Sequence, residues 1–200
     1  MILQEGKISE QQFWEWFLLN EAALYDLENS KDPLLSELHQ TLTQYYEGLT
    51  YQFSIKSPEG KKEFVISADG IAEAFPAVMS LVTAAPLFER WKIIAFRPRV
   101  SEEFELSMGT RVFTFDDFYF LHAMDVATIA LQMHIRDFED TPEYQQAAFI
   151  ILDNVLGEFD METKVGHIEF MKLSEEKISG LFNIRDLPHV VDDLFRQINN

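Results

Sequence analysis

Tyr51-Gln52-Phe53-Ser54-Ile55-Lys56, the turn Ser57-Pro58-Glu59-Gly60-Lys61 and the run Glu63-Phe64-Val65-Ile66-Ser67-Ala68 decide the fold class. In the first stretch apolar and polar residues alternate, which is the period of a strand with one face against a core. The five-residue turn carries both Pro and Gly, and the apolar run after it predicts a β-hairpin. Asp69-Gly70 ends the second strand, and a helix follows over 72–84, where Pro76 fits only in the first turn. Trp91-Lys92-Ile93-Ile94-Ala95-Phe96 then reads as a strongly apolar strand that stops at Arg97-Pro98-Arg99.

Upstream of this hairpin the period is helical. Ser9-Glu10-Gln11-Gln12 has the form of a capping box, with Ser at the N-cap and Gln three residues on. The helix it opens runs through Phe13-Trp14-Glu15-Trp16-Phe17-Leu18-Leu19, apolar over most of its circumference. Two readings fit that excess. Trp14, Trp16 and Phe17 are a candidate partner or dimer interface, or the helix is wedged between a sheet and a second helix. Asp32-Pro33 reads as N-cap and first helical residue, and Gly48 as the residue just past the end. Leu35, Leu38, Leu42, Tyr45 and Tyr46 recur between them at helical spacing, so residues 1–48 read as a helical hairpin.

Downstream the order repeats. Strands are expected over 111–115 and 127–136, with 116–125 ambiguous because its aromatic run has no clear period. Thr141-Pro142 opens a helix that Gly157 closes, and 165–173 is a strand. Leu187, Val190, Val191, Leu194 and Ile198 mark a last amphipathic helix. The expected fold is therefore α+β. The helical hairpin packs on a two-layer α/β sandwich over 49–200, mostly antiparallel. That sandwich holds two ββαβ units, 49–99 and 111–173, which share one core as one cooperative unit, plus the C-terminal helix. The alternative is a single irregular sheet in which the repeated order is coincidence.

Composition narrows function by exclusion. The chain has 16 basic and 34 acidic residues, a formal net charge of −18, and no cysteine. Such a charge repels phosphate backbones and anionic lipid surfaces, so neither nucleic acid nor membrane is an expected partner. A basic protein partner or a homodimer is compatible with it. Without cysteine there are no disulfides, thiolate metal sites or cysteine nucleophiles, and a cytoplasmic location is the expectation. No pair of glycines forms G-x-G, and no G-x-S-x-G or H-E-x-x-H occurs, which removes dinucleotide, P-loop, hydrolase-elbow and zincin chemistry. His167-Ile168-Glu169 has the H-x-E of zinc deaminases but lacks the cysteine ligands they need. No cofactor, metal or catalytic residue is assigned.

Three clusters remain as ligand-binding candidates. Ser67 and Asp69 sit at a strand-to-helix turn, where backbone N–H groups are free and a carboxylate can cap the helix or orient a ligand. Arg97 and Arg99 share a strand face and must meet either carboxylates or an anion. His134 and Arg136, with Gln132, line the polar face of the 127–136 strand, and Glu158 could approach them if the next strand pairs nearby. Solvated surface and internal ion pairs are the competing reading of each cluster.

Val65-Ile66-Ser67-Ala68-Asp69-Gly70, Ala74-Phe75-Pro76 and Trp91 through Arg99 resemble a pattern from an uncharacterised bacterial protein family, as do Leu156-Gly157-Glu158 and Gly166 before a strand. The resemblance covers about half the chain. It implies a bacterial cytoplasmic protein and carries over no activity and no catalytic residue. The expected function is a non-catalytic binding or regulatory module. Two alternatives stand beside it: an enzyme or small-ligand binder that holds an anion on the Arg/His cluster, and an acidic immunity-type protein that neutralises a basic toxin.

Overall fold

The structure, a computed structural model, describes residues 7–27 and 31–198. It is an α+β fold with N-terminal helices and mixed sheets, and it divides into two compact units, Met1–Arg97 and Pro98–Asn200.

In the first unit α1 (Glu10–Asp26) starts as its sequence dictates. The Ser9 hydroxyl accepts from the Gln12 backbone N–H, and the Gln12 side chain accepts from the Ser9 N–H. The helix α2 (Pro33–Tyr45) is capped by Asp32, whose carboxylate accepts from the Leu34 N–H. Strands β1 (Thr50–Phe53) and β2 (Lys62–Ser67) pair antiparallel, with Phe53 opposite Phe64. The chain then crosses over through a 3-10 turn and α3 (Phe75–Thr83), with Pro76 in the first turn, to β3 (Trp91–Ala95), which pairs parallel to β2. This is a ββαβ unit in the order β1-β2-β3. One core gathers Phe13, Trp14, Phe17, Leu38, Leu42, Phe64, Val78, Leu81 and Trp91 from the helices and the sheet. The helical hairpin therefore packs on this sheet, although residues 1–6 and 28–30 of it lie outside the described residues.

The second unit opens with a small hairpin, β4 (Leu106–Met108) and β5 (Arg111–Phe113). Strands β6 (Phe118–Asp125) and β7 (Thr128–Ile135) pair antiparallel along eight residues each. Helices α4 (Pro142–Leu156) and α5 (Glu158–Lys164) carry the chain to β8 (Val165–Lys172), parallel to β7. A two-residue strand, β9 (Phe182–Asn183), closes the order β8-β7-β6-β9, and α6 (Leu187–Ile198) ends the unit. A second core joins Phe118, Phe120, Leu131 and Met133 to Ala147, Ile151, Leu152 and Val191.

The repeated order is thus real at the level of strand pairing, since each unit has an antiparallel pair followed by a parallel crossover onto its middle strand. Two expectations need correction. The first strand of the second unit is 118–125, and 111–113 pairs only with the preceding hairpin strand. The ambiguous run carries apolar side chains on both faces, so its burial alternates while its hydropathy does not. The buried residues also form two clusters, one in each unit, where one shared core was expected.

Candidate functional site

Asp69 follows β2 by two residues and Asp137 follows β7 by two, and both adopt the left-handed region, at φ 53° and 54°. Asp is among the few residues that tolerate this conformation. Each carboxylate faces an arginine of its own unit, Asp69 with Arg97 at 2.9 Å and Asp137 with Arg111 at 3.6 Å. Ser67, fully buried, accepts from the Arg97 guanidinium at 2.7 Å and from the Asp69 N–H at 2.9 Å. Ser67, Asp69 and Arg97 are therefore one hydrogen-bonded turn.

Arg99 belongs to the second unit. Its Nε donates to the Leu156 carbonyl at 3.1 Å, and its two terminal nitrogens grip Asp192 bidentately at 2.9 and 2.7 Å. A further bond reaches Asp160 at 2.5 Å, and Lys164 holds the other Asp160 oxygen at 2.8 Å. The bonds to Asp192, ahead of those to Asp160, raise the guanidinium pKa, while Arg99 in turn lowers that of Asp192. Both arginines thus meet the chain's own carboxylates, and an anion would have to displace them.

His134 points from β7 to the face opposite Leu131 and Met133, with 9% of its surface exposed. Its Nε2–H donates to Gln132 Oε1 at 3.1 Å, and the Gln132 amide donates to Glu169 of β8 at 2.9 Å. Burial lowers the His134 pKa and the Lys177 charge lowers it further, against the opposite pull of Glu169. Arg136 turns away to Asp117 at 3.3 Å and to Glu175. Glu158 is buried where α5 begins. Within the second unit Arg99 and His134 have different partners, Asp160 and Asp192 for the one and Gln132 for the other.

The depressed His134 value has a testable consequence. The folded state binds a proton at this group less readily than the unfolded chain does. Stability is therefore lost as pH falls below the unfolded value of about 6.5. In urea denaturation between neutral pH and pH about 5, a His134→Gln variant should lose less stability than the wild type. Equal losses would show that the imidazole titrates alike in both states.

Trp14 and Phe17 leave no surface for a partner, being 3% and 0% exposed, and Trp16 is partly buried against the same core. Sheet, second helix and α3 take up the aromatic residues of α1 while Leu18 and Leu19 stay exposed, and Trp14 Nε1 donates to the Leu81 carbonyl at 2.8 Å.

Two concavities have other linings. A groove of about 680 Å³ runs along Glu10, Trp14, Glu15, Leu18, Ala84 and Pro86. There Glu10 Oε1 accepts from the Ser80 hydroxyl at 2.7 Å and from Tyr45 at 3.0 Å. The Ser80 bond is the main reason that the Glu10 pKa is lowered, and burial, with Glu10 beside it, pushes Tyr45 up to about 12. A smaller cavity of about 340 Å³ surrounds Arg185, which is held by Glu103 and Asp116 at 2.7 Å each. Sequence reading missed both clusters because their members lie between 35 and 82 residues apart with no shared motif. Among the described residues no group of three or more His, Asp or Glu could hold a metal ion, and no helix is long and apolar enough to cross a membrane. Set against protein-family models, curated proteins and solved structures, the chain matches none.

Proposed function

We propose that this protein is a non-catalytic, cytoplasmic binding module whose partner is a protein with a basic surface. The pairing of its arginines carries the reading. All five arginines after position 97 (Arg99, Arg111, Arg136, Arg185 and Arg196) lie against carboxylates of the same unit. Residues 98–200 hold 20 acidic and 8 basic side chains, so their net charge is −12, against 14 acidic and 8 basic, or −6, over residues 1–97. With these arginines satisfied internally, the excess is negative and favours a cationic surface, raising association rates in a salt-dependent way. A second copy of a chain with net charge −18 meets the opposite condition. An immunity-type protein that covers a basic toxin is one form of this reading.

The test is affinity capture at low salt from cells that make the protein, followed by size-exclusion chromatography of the purified pair. The expected result is a stoichiometric complex with a basic protein that dissociates at high salt. Retention of no partner, or of an acidic one that salt does not release, would overturn the reading.

A further inference from the structure

The β6–β7 hairpin carries little of the charge of this acidic protein. Residues 118–135 contain a single charged side chain, Asp125, in a chain that is 25% charged. The inner half of the hairpin explains itself, because Phe118, Phe120, Leu131 and Met133 are core. The outer half does not. Leu121 is 38% exposed, Met124 40% and Val126 97%, and Ala123 and Ala127 are exposed beside them. Ile55 and Leu87, by contrast, are exposed with no exposed apolar residue next to them in the chain, which is ordinary for a protein surface. Projecting strands are commonly blunted with charged side chains, and a contiguous uncharged stretch is the composition of an interface core.

The tip adds an independent observation. Asp125 and Thr128 are paired, so Val126-Ala127 is a two-residue loop, and Val126 has φ 55°. Hairpin loops with positive φ at the first central position favour glycine there. A β-branched residue in that conformation is a steric outlier, and strain of this kind clusters at functional segments. Here a strained side chain is kept at the most exposed point of the hairpin, where it makes no core contact that would explain it.

We infer that the outer half of this hairpin, Leu121, Met124 and Val126, is the docking element for the basic partner and inserts into an apolar pocket edged by Lys and Arg. The inference rests on the reading above that such a partner exists. Charge complementarity fixes the chemistry of the pocket rim. Asp125 stands at the tip, and Glu169 is hydrogen-bonded to Gln132, the residue paired with Leu121. On one face of the hairpin Leu121 and Ala123 lie between these carboxylates, while Met124 projects from the opposite face and Val126 from the tip. The same carboxylates and the net charge disfavour an anionic membrane or a second copy.

The experiment places a photo-crosslinking residue at position 126 of the full chain and, as a control, at the equally exposed position 55, in cells that make the protein. The protein captured from position 126 is then purified and titrated against wild type, a Leu121→Asp/Met124→Asp double variant and Val126→Gly. The expected result is a basic protein crosslinked from 126 and not from 55. Its affinity should fall about tenfold or more in the double variant, which melts like the wild type. Val126→Gly should weaken binding while raising the melting midpoint by about 2–4 °C, as relief of strain at an exposed turn would.

If a basic partner is captured but binds the hairpin variants as tightly as wild type, the docking inference fails and the proposed function stands. If no basic protein is crosslinked or retained at all, both fail. A crosslink only to a second copy, to lipid or to an acidic protein overturns the inference.

Discussion

Phe17→Ala is expected to destabilise the first unit by about 3–5 kcal/mol, the range for deleting a fully buried phenylalanine. The Phe17 ring stacks on Phe64 at 5.0 Å and meets Trp14, Phe88 and Trp91 edge-on at 5.5, 5.3 and 5.6 Å. Helix, sheet and the loop after α3 all lean on it, so the cavity cannot close by one side chain moving. The readout is convenient because all three tryptophans, Trp14, Trp16 and Trp91, lie in residues 1–97. Tryptophan fluorescence during urea denaturation should show the loss. Leu19→Ala, on the same helix but 87% exposed, should leave the midpoint nearly unchanged. A loss below about 1 kcal/mol for Phe17→Ala would mean that this ring is not the centre of the core.

Arg99→Ala is expected to destabilise the second unit by about 2–3 kcal/mol. The guanidinium ties the segment before β4 to the end of α4, to α5 through Asp160 and to α6 through Asp192. Its side chain is 30% exposed, so the figure sits below that for breaking a fully buried pair. Removal takes from Asp192 its bidentate partner and leaves Asp160 with Lys164. Arg99→Lys should recover only part of the loss, because an ammonium cannot span both Asp192 oxygens and Asp160 in the same plane.

The pH dependence follows from the sign of the Asp192 shift. Its folded pKa is depressed by Arg99, so this stability is present above the unfolded carboxylate value and is lost as pH falls through the folded one. The Arg99→Ala variant should therefore lose less stability on acidification than the wild type, measured by circular dichroism in urea. A neutral effect of Arg99→Ala at neutral pH would reopen the reading in which this arginine waits for an anion.

What could be read in advance was local. The Ser9 capping box, the Asp32-Pro33 helix start, the Ser57–Lys61 turn and the closure of α4 at Gly157, with φ 75°, each depend on residues within five positions of one another. Periodicity located β2, β3, β7 and β8 because their neighbours in sequence differ in burial or end at clear breakers. It failed at β6, where Phe118-Tyr119-Phe120-Leu121 is apolar on both faces and only the pairing with β7 and β9 fixes which face is inward.

By itself, then, the sequence determined the α+β class, the order of its helices and most strands, the acidic charge and the absence of thiol chemistry. Those follow from short-range sterics, hydrogen bonding and composition. The tertiary structure alone decided where each candidate side chain went. Arg97 and Arg99 are two residues apart, yet one closes a turn with Asp69 and the other binds Asp192, 93 positions away. A guanidinium attracts any carboxylate, and in a chain with 34 of them only the packing of helices on sheets selects which one comes within reach.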